Sequence, residues 1–206
     1  IIHAHYAVPH ATAAYLADQI LGLDNGNCRP RTVTTLHGTD ITLVGSDPSY
    51  ARVVAFSIEQ SHGVTAVSES LKRETIDTLG IAHDIRVIPN FLDCGGYRRA
   101  PQPALRTRLA PNGESIVMHV SNFRPVKRVD AVLDVFMRLR RDLPAKLVMI
   151  GEGPQRQPLE RRVLDERLSG DVTFVREHHD LVPWLSVADL FLLPSSQESF
   201  GMAALE

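Results

Sequence analysis

Gly63-Val64-Thr65-Ala66-Val67-Ser68-Glu69-Ser70-Leu71-Lys72-Arg73-Glu74-Thr75-Ile76-Asp77-Thr78-Leu79-Gly80, followed by Ile85-Arg86-Val87-Ile88-Pro89-Asn90, is the stretch that decides the fold. Gly63 to Val67 is short and apolar, as a strand would be. Ser68 is a natural N-cap residue, and Glu69 to Leu79 reads as a helix closed by Gly80. Ile85 to Ile88 is a second strand, stopped by Pro89-Asn90. A short strand, a helix and another short strand predict a right-handed βαβ unit and a parallel sheet.

The same rhythm extends in both directions. Upstream, Ile1 to Tyr6 reads as a strand, and Pro9-His10-Ala11-Thr12 leads into a helix carrying Ala14, Leu16 and Ile20, with Pro9 suited to a helix start. Gly22 to Pro30 is a loop, Arg31 to Leu36 a strand, and a helical pattern runs from Asp47-Pro48 to about Gln60. Downstream, Asp93 to Gly113 changes character: it is rich in proline and arginine, with a short helix from Ala104 to Leu109, and reads as a linker. Strands then recur at Ile116 to Val120, Lys146 to Ile150, Val172 to Val175 and Asp189 to Leu193. Helices lie between them, one with Val129, Val132, Leu133, Phe136 and Leu139 on a single face, one ending near Leu168, and one capped by Asp180 with Pro183 in its first turn. The expected architecture is α/β, with two Rossmann-like domains of parallel sheet. They cover residues 1–92 and 114–206, joined by a linker at 93–113.

Composition narrows the function. A formal net charge of −2 over 206 residues argues against a nucleic-acid partner held by bulk charge, and no basic run suits an acidic membrane. Cys28 and Cys94 make neither a disulfide framework nor a metal-ligand pattern, which points to a reducing, cytoplasmic setting. No apolar span is long enough to cross a bilayer. The first residue already lies in a strand-like run and the last in a helix just begun, so the chain reads as an internal fragment truncated at both ends. A homo-oligomer is compatible with the sequence.

Polar residues gather where the strands end, and in an open α/β sheet that is where ligands bind. His37-Gly38-Thr39-Asp40 follows one strand. Ser121-Asn122-Phe123-Arg124-Pro125-Val126-Lys127-Arg128 follows another and offers three cations and an amide, suited to a diphosphate or simply to solvent. Gly151-Glu152-Gly153-Pro154 permits close backbone approach, or forms an ordinary tight turn; it lacks the dinucleotide spacing. After Leu193, Pro194-Ser195-Ser196-Gln197-Glu198-Ser199-Phe200-Gly201 opens what reads as a helix beginning near Ser199. Glu198 and Glu206 bracket that opening, either as paired ligand contacts or as a helix-dipole carboxylate and a solvated one. His3 and His5 share a strand face and His178-His179-Asp180 lie in a loop, yet no set of residues has the spacing of a metal centre, so none is expected. His37 is read either as a reactive-site residue or as a hydrogen-bonded structural one.

The two glutamates eight residues apart, with Asn122 and Lys127 upstream, resemble the signature of the family 4 retaining glycosyltransferases. The segments around His3-Ala4-His5-Tyr6, Thr34-Thr35-Leu36-His37-Gly38-Thr39-Asp40, Gly45-Ser46-Asp47-Pro48, Val64 to Ser68 and Val87-Ile88-Pro89-Asn90-Phe91 look similar, in order, to the branch that acts in bacillithiol biosynthesis. The resemblance implies the GT-B fold and transfer of N-acetylglucosamine from UDP-N-acetylglucosamine to the hydroxyl of L-malate, with retention. It implies catalytic roles for His37, Lys127 and Glu198. Donor contacts would come from Asn122, Arg124, Lys127, Glu198, Ser199, Phe200, Gly201 and Glu206, with Glu206 on the ribose, and acceptor contacts from Tyr6 and Thr35. It further implies a front-face route in which the departing phosphate helps deprotonate the acceptor, without a metal or other cofactor. The alternatives are a family 4 enzyme with a different acceptor and a nucleotide-sugar binding module without turnover.

Overall fold

A computed structural model describes residues 1–24, 30–45, 47–176 and 180–206. These fall into two units, Ile1–Phe91 with Glu198–Phe200, and Leu92–Gln197 with Gly201–Glu206.

In the first unit, β1 (Ile2–His5), β2 (Thr32–Leu36), β3 (Gly63–Ala66) and β4 (Ile85–Val87) form a parallel sheet in chain order. The α-helices α1 (Thr12–Asp24), α2 (Pro48–Glu59) and α3 (Glu69–Leu79) accompany it. Local chemistry sets the ends of α3. The Ser68 hydroxyl accepts the Leu71 N–H at 3.1 Å, and Gly80 takes the left-handed conformation (φ 64°) that returns its N–H to Ile76. Asp47 likewise accepts from Ser49 at the start of α2, where Pro48 needs no hydrogen-bond partner. Leu36, Ile41, Val54, Ile58, Val64, Leu71 and Ile85 make the core, and Phe200 packs against it.

The start of α1 differs from the sequence expectation. Pro9 lies in a wide turn, Ala7–Ala11, and the regular helix begins at Thr12. The turn is held from outside, its Ala7 N–H donating to the Asp40 carboxylate at 2.9 Å. Small residues then bring α1 close to β1: Ala4, Ala11 and Ala14 are buried together while Leu16 and Ile20 face outward. The expected loop from Gly22 begins later, because Gly22 is still helical; residues 25–29, Cys28 among them, lie outside the described residues, as does Ser46.

In the second unit, β5 (Ser115–Val120), β6 (Ala145–Ile150), β7 (Val172–Val175) and β8 (Leu190–Phe191) are again parallel, but in the order β7-β6-β5-β8. Val117, Leu147 and Met149 point into one core, with Val132, Leu133 and Phe136 of α5 (Val129–Leu139) and Leu159 and Val163 of α6 (Arg156–Asp165). Ile116, Met118, Val148 and Ile150 alternate with them into a second core, which holds Leu109 of α4 (Pro103–Leu109) and Val187 of α7 (Val182–Val187). Both faces are covered, which explains why these strands read as continuous apolar runs.

Within the stretch read as a linker, Arg106 donates to the Val187 carbonyl at 2.8 Å and to Asp189 at 2.9 Å, and α4 therefore packs with the second unit. The Asp189 carboxylate also accepts the Ile116 N–H at 2.8 Å; β8 is regular only over Leu190–Phe191, while the flanking Asp189 and Leu192 N–H groups still donate to β5 carbonyls at 2.9 and 2.8 Å.

The helix expected near Ser199 begins three residues later, as α8 (Met202–Leu205), with Gly201 before it at φ 86°. The Glu206 N–H continues the helical ladder onto the Met202 carbonyl at 3.0 Å, so Glu206 stands one turn after the start of α8. The late start of α8 has a tertiary reason: the Ser199 carbonyl accepts the Ser68 hydroxyl at 2.6 Å instead of starting a helical ladder.

Candidate active site

In the first unit the polar residues cluster at the carboxyl ends of β1 and β2. Their register pairs His5 with Thr35, and the Tyr6 N–H continues the ladder onto the Thr35 carbonyl at 2.9 Å. With a two-residue strand period, His3, His5 and the strand-end His37 come side by side. The His5 Nδ1 lies 2.8 Å from the His37 Nε2, and ring centres are 4.4 Å apart for His3–His5, 5.0 Å for His5–His37 and 5.1 Å for Tyr6–His37. The Thr35 hydroxyl is bonded on two sides, to His3 Nε2 at 2.7 Å and to Thr65 Oγ1 at 2.8 Å. Tyr6, Thr35 and His37 are thus brought together.

Asp40, which sequence reading placed at the strand end without a role, organises this cluster from beneath. It is buried, and its two oxygens accept the N–H of Ala7 at 2.9 Å and of Gly38 at 3.0 Å, one from the turn after β1 and one from the turn after β2. A buried carboxylate two residues past a His-Gly pair was the available sequence signal. Its partner across the sheet was not visible. Partial burial, then the neighbouring His5, lower the pKa of His37 from its usual value; Asp40 acts the other way and His3 adds to the lowering. The imidazole is therefore held toward its neutral form.

Ser199 sits directly over Gly38. A methyl group on Gly38, whose φ is 118°, would fall 1.6 Å from the Ser199 Oγ. The Glu198–Phe200 segment consequently lies beside the residue that follows His37, and the first unit holds it through Ser68 and the packing of Phe200.

In the second unit the chain order β5, β6, β7 runs one way across the sheet and β8 lies on the other side of β5, creating a switch point between β5 and β8. The loops after these two strands meet there: the Ser196 N–H donates to the Val126 carbonyl at 2.9 Å, next to Lys127. Asn122 and Arg124 are exposed and Lys127 is half-buried. A pocket beside them is lined by Val120, Ser121, Asn122, Gly151, Glu152 and Leu181.

The glycines after β6 pack backbone against backbone. A Cβ on Gly151 would lie 1.8 Å from the Ser121 carbonyl oxygen, and one on Gly153 would lie 2.1 Å from that of Asn122, both at positive φ. Behind them, buried His119 joins the Leu192 carbonyl and the Ser121 hydroxyl, each at 2.8 Å. The carbonyl requires an N–H at Nδ1, which leaves Nε2 to accept from Ser121. A buried strand histidine with this role was not anticipated from sequence.

Glu206 lies in a separate pocket of the second unit with Tyr97, Arg98, Arg99 and Val182, where the Tyr97 hydroxyl donates to it at 3.5 Å. The charge of Glu206 raises the Tyr97 pKa above its usual value. Asn122 lines the first of these pockets and Glu206 the second, and Leu181 of the first adjoins Val182 of the second. Among the described residues no group of three or more His, Cys, Asp or Glu is placed to hold a metal ion, and no helix is long and apolar enough to cross a membrane. His178 and His179 lie outside the described residues.

The two parallel-sheet α/β units have the fold of the GT-B glycosyltransferases among solved structures. Residues 102–206 match the family described as glycosyl transferases group 1, and residues 1–95 match glycosyltransferase family 4. The chain belongs to the glycosyl transferases group 1 family. It is similar to N-acetyl-alpha-D-glucosaminyl L-malate synthase of Bacillus anthracis, with 41% identity over 100% of this chain and 53% of the relative. It is also similar to D-inositol 3-phosphate glycosyltransferase of Jonesia denitrificans, with 36% identity over 72% of this chain and 39% of that one. Among solved structures it resembles Anabaena Alr3699/HepE in complex with UDP and glucose, with a TM-score of 0.76 and 20% identity, covering 94% of this chain and 53% of that chain. The chain spans about half the length, or less, of the relatives it matches.

Proposed function

We propose that the complete protein transfers N-acetylglucosamine from UDP-N-acetylglucosamine to the hydroxyl of L-malate, with retention at the anomeric carbon. One observation carries this reading: the 41% identity to the Bacillus anthracis synthase extends over the whole chain, and so takes in the loops of both units at once.

In this proposal His37 contacts the donor sugar near the reacting carbon, and Tyr6 and Thr35 hold the acceptor. Lys127, with Asn122 and Arg124, meets the negative charge that grows on the departing diphosphate, where a preorganised cation acts most strongly. Glu198 touches the donor sugar, the backbone from Ser199 to Gly201 approaches the diphosphate, and Glu206 takes the ribose hydroxyls. The departing phosphate oxygen accepts the proton of the malate hydroxyl as the new bond forms on the same face. No metal or other cofactor takes part, and the protein works in the cytoplasm.

A related reading keeps the donor chemistry and changes the acceptor, and it is favoured by the 36% identity to the D-inositol 3-phosphate glycosyltransferase. The deciding experiment offers the full-length protein UDP-N-acetylglucosamine with L-malate, and separately with inositol phosphate and simple sugars, while UDP release is followed. Malate-dependent release supports the first reading. Release with another acceptor alone selects the second, and UDP binding without any transfer would make the protein a binding module.

A further inference from the structure

We infer that His5 is a positioning residue for His37, its ring nitrogen fixing which nitrogen of the His37 imidazole carries the proton. This rests on the transferase reading above, in which His37 touches the reacting sugar.

The geometry leaves little choice. A bond of 2.8 Å between His5 Nδ1 and His37 Nε2 needs one hydrogen between two nitrogens, so one ring donates and the other accepts. Whichever way it runs, the remaining nitrogen of a neutral His37, Nδ1, takes the opposite role. If His5 donates, His37 presents an N–H to a ligand hydroxyl; if His5 accepts, His37 presents a lone pair. The tautomer of His37 is therefore tied to that of His5, on the neighbouring strand.

His5 is itself held. Its ring lies between those of His3 and His37, at 4.4 and 5.0 Å, and its carbonyl accepts the His10 ring N–H at 2.6 Å. His3 is anchored in turn to Thr35. Among the described residues His3, His5 and Tyr6, from β1 and its turn, and Asp40, from its own loop, face His37. His5 is exposed, so replacing it removes the hydrogen bond without opening a core.

The test uses the full-length protein with 15N-labelled histidine, comparing wild type, His5→Phe and His5→Asn. An asparagine amide can stand where Nδ1 stood; phenylalanine keeps the ring and loses the bond. In wild type the His37 nitrogens should show a single tautomer. In His5→Phe they should show a mixture, with kcat about tenfold lower, KM for the donor within about twofold, and the acid limb of the kcat profile moved to higher pH. His5→Asn should recover most of the rate. Unchanged His37 signals and an unchanged acid limb in His5→Phe would overturn the inference. A tautomer change in a protein that transfers nothing would overturn the transferase reading and leave the control of His37 by His5 standing.

Discussion

Replacing Asp40 should cost the first unit more than any exposed carboxylate could, and the structure gives the size. Asp40 accepts two buried backbone donors, Ala7 N–H at 2.9 Å and Gly38 N–H at 3.0 Å. Each bond to a charged acceptor is worth about 1.5–3 kcal/mol, and each donor left buried without a partner costs about 1–3 kcal/mol. The two losses overlap, and water entering the space left by the carboxylate recovers part of them. Asp40→Ala should therefore destabilise the unit by about 3 kcal/mol, and Asp40→Asn, which keeps one acceptor oxygen, by about 2 kcal/mol. The internal control is Asp47→Ala, which removes an exposed helix cap and should cost about 1 kcal/mol. Hydrogen exchange in the full-length protein reads these differences unit by unit. Amides in β2 and β3 that open only with the whole unit should exchange about 100-fold faster in Asp40→Ala and about fivefold faster in Asp47→Ala. An Asp40→Ala protein whose sheet exchanges no faster than the Asp47→Ala control would refute the clamp.

Three further outcomes are expected. Gly151→Ala pushes a methyl into the Ser121 carbonyl at positive φ, so it should destabilise the second unit by about 2 kcal/mol or more and weaken UDP binding at least tenfold; a calorimetric titration matching wild type would contradict this. Lys127→Ala and His37→Ala should each lower kcat by about tenfold or more, as loss of a transition-state contact does, and wild-type turnover in either would remove that residue from the mechanism. Because the folded-state pKa of His37 is lowered, the unfolded chain binds more protons just below pH ~6.5, so His37's contribution makes stability fall as pH drops through that window; the activity profile should keep its rate to below pH ~6.5 before the acid limb begins. A limb at or above that pH would show that burial does not govern His37.

The parts of the fold that local chemistry determines were legible in the sequence. Ser68 and Gly80 end α3 where they were expected to, and the alternating apolar strands of the second unit follow from a two-residue period with both faces covered. Boundaries depend on partners distant in sequence, as where the Ser68 hydroxyl takes the Ser199 carbonyl and α8 starts only at Met202. The site divides in the same way. Strand-end residues such as His37, Asn122 and Lys127 can be picked out along the chain. The partners that orient them cannot, because His5 meets His37, and His119 meets Leu192, only once strand register and sheet order are set.

The most direct measurement of the central claim is the proton NMR spectrum of the product formed when the full-length protein is given UDP-N-acetylglucosamine and L-malate. The account predicts one N-acetylglucosamine joined to the malate hydroxyl for each UDP released, with the small H1–H2 coupling of an α-linkage. A β-linked product, or UDP released at the same rate with malate left out, would contradict it.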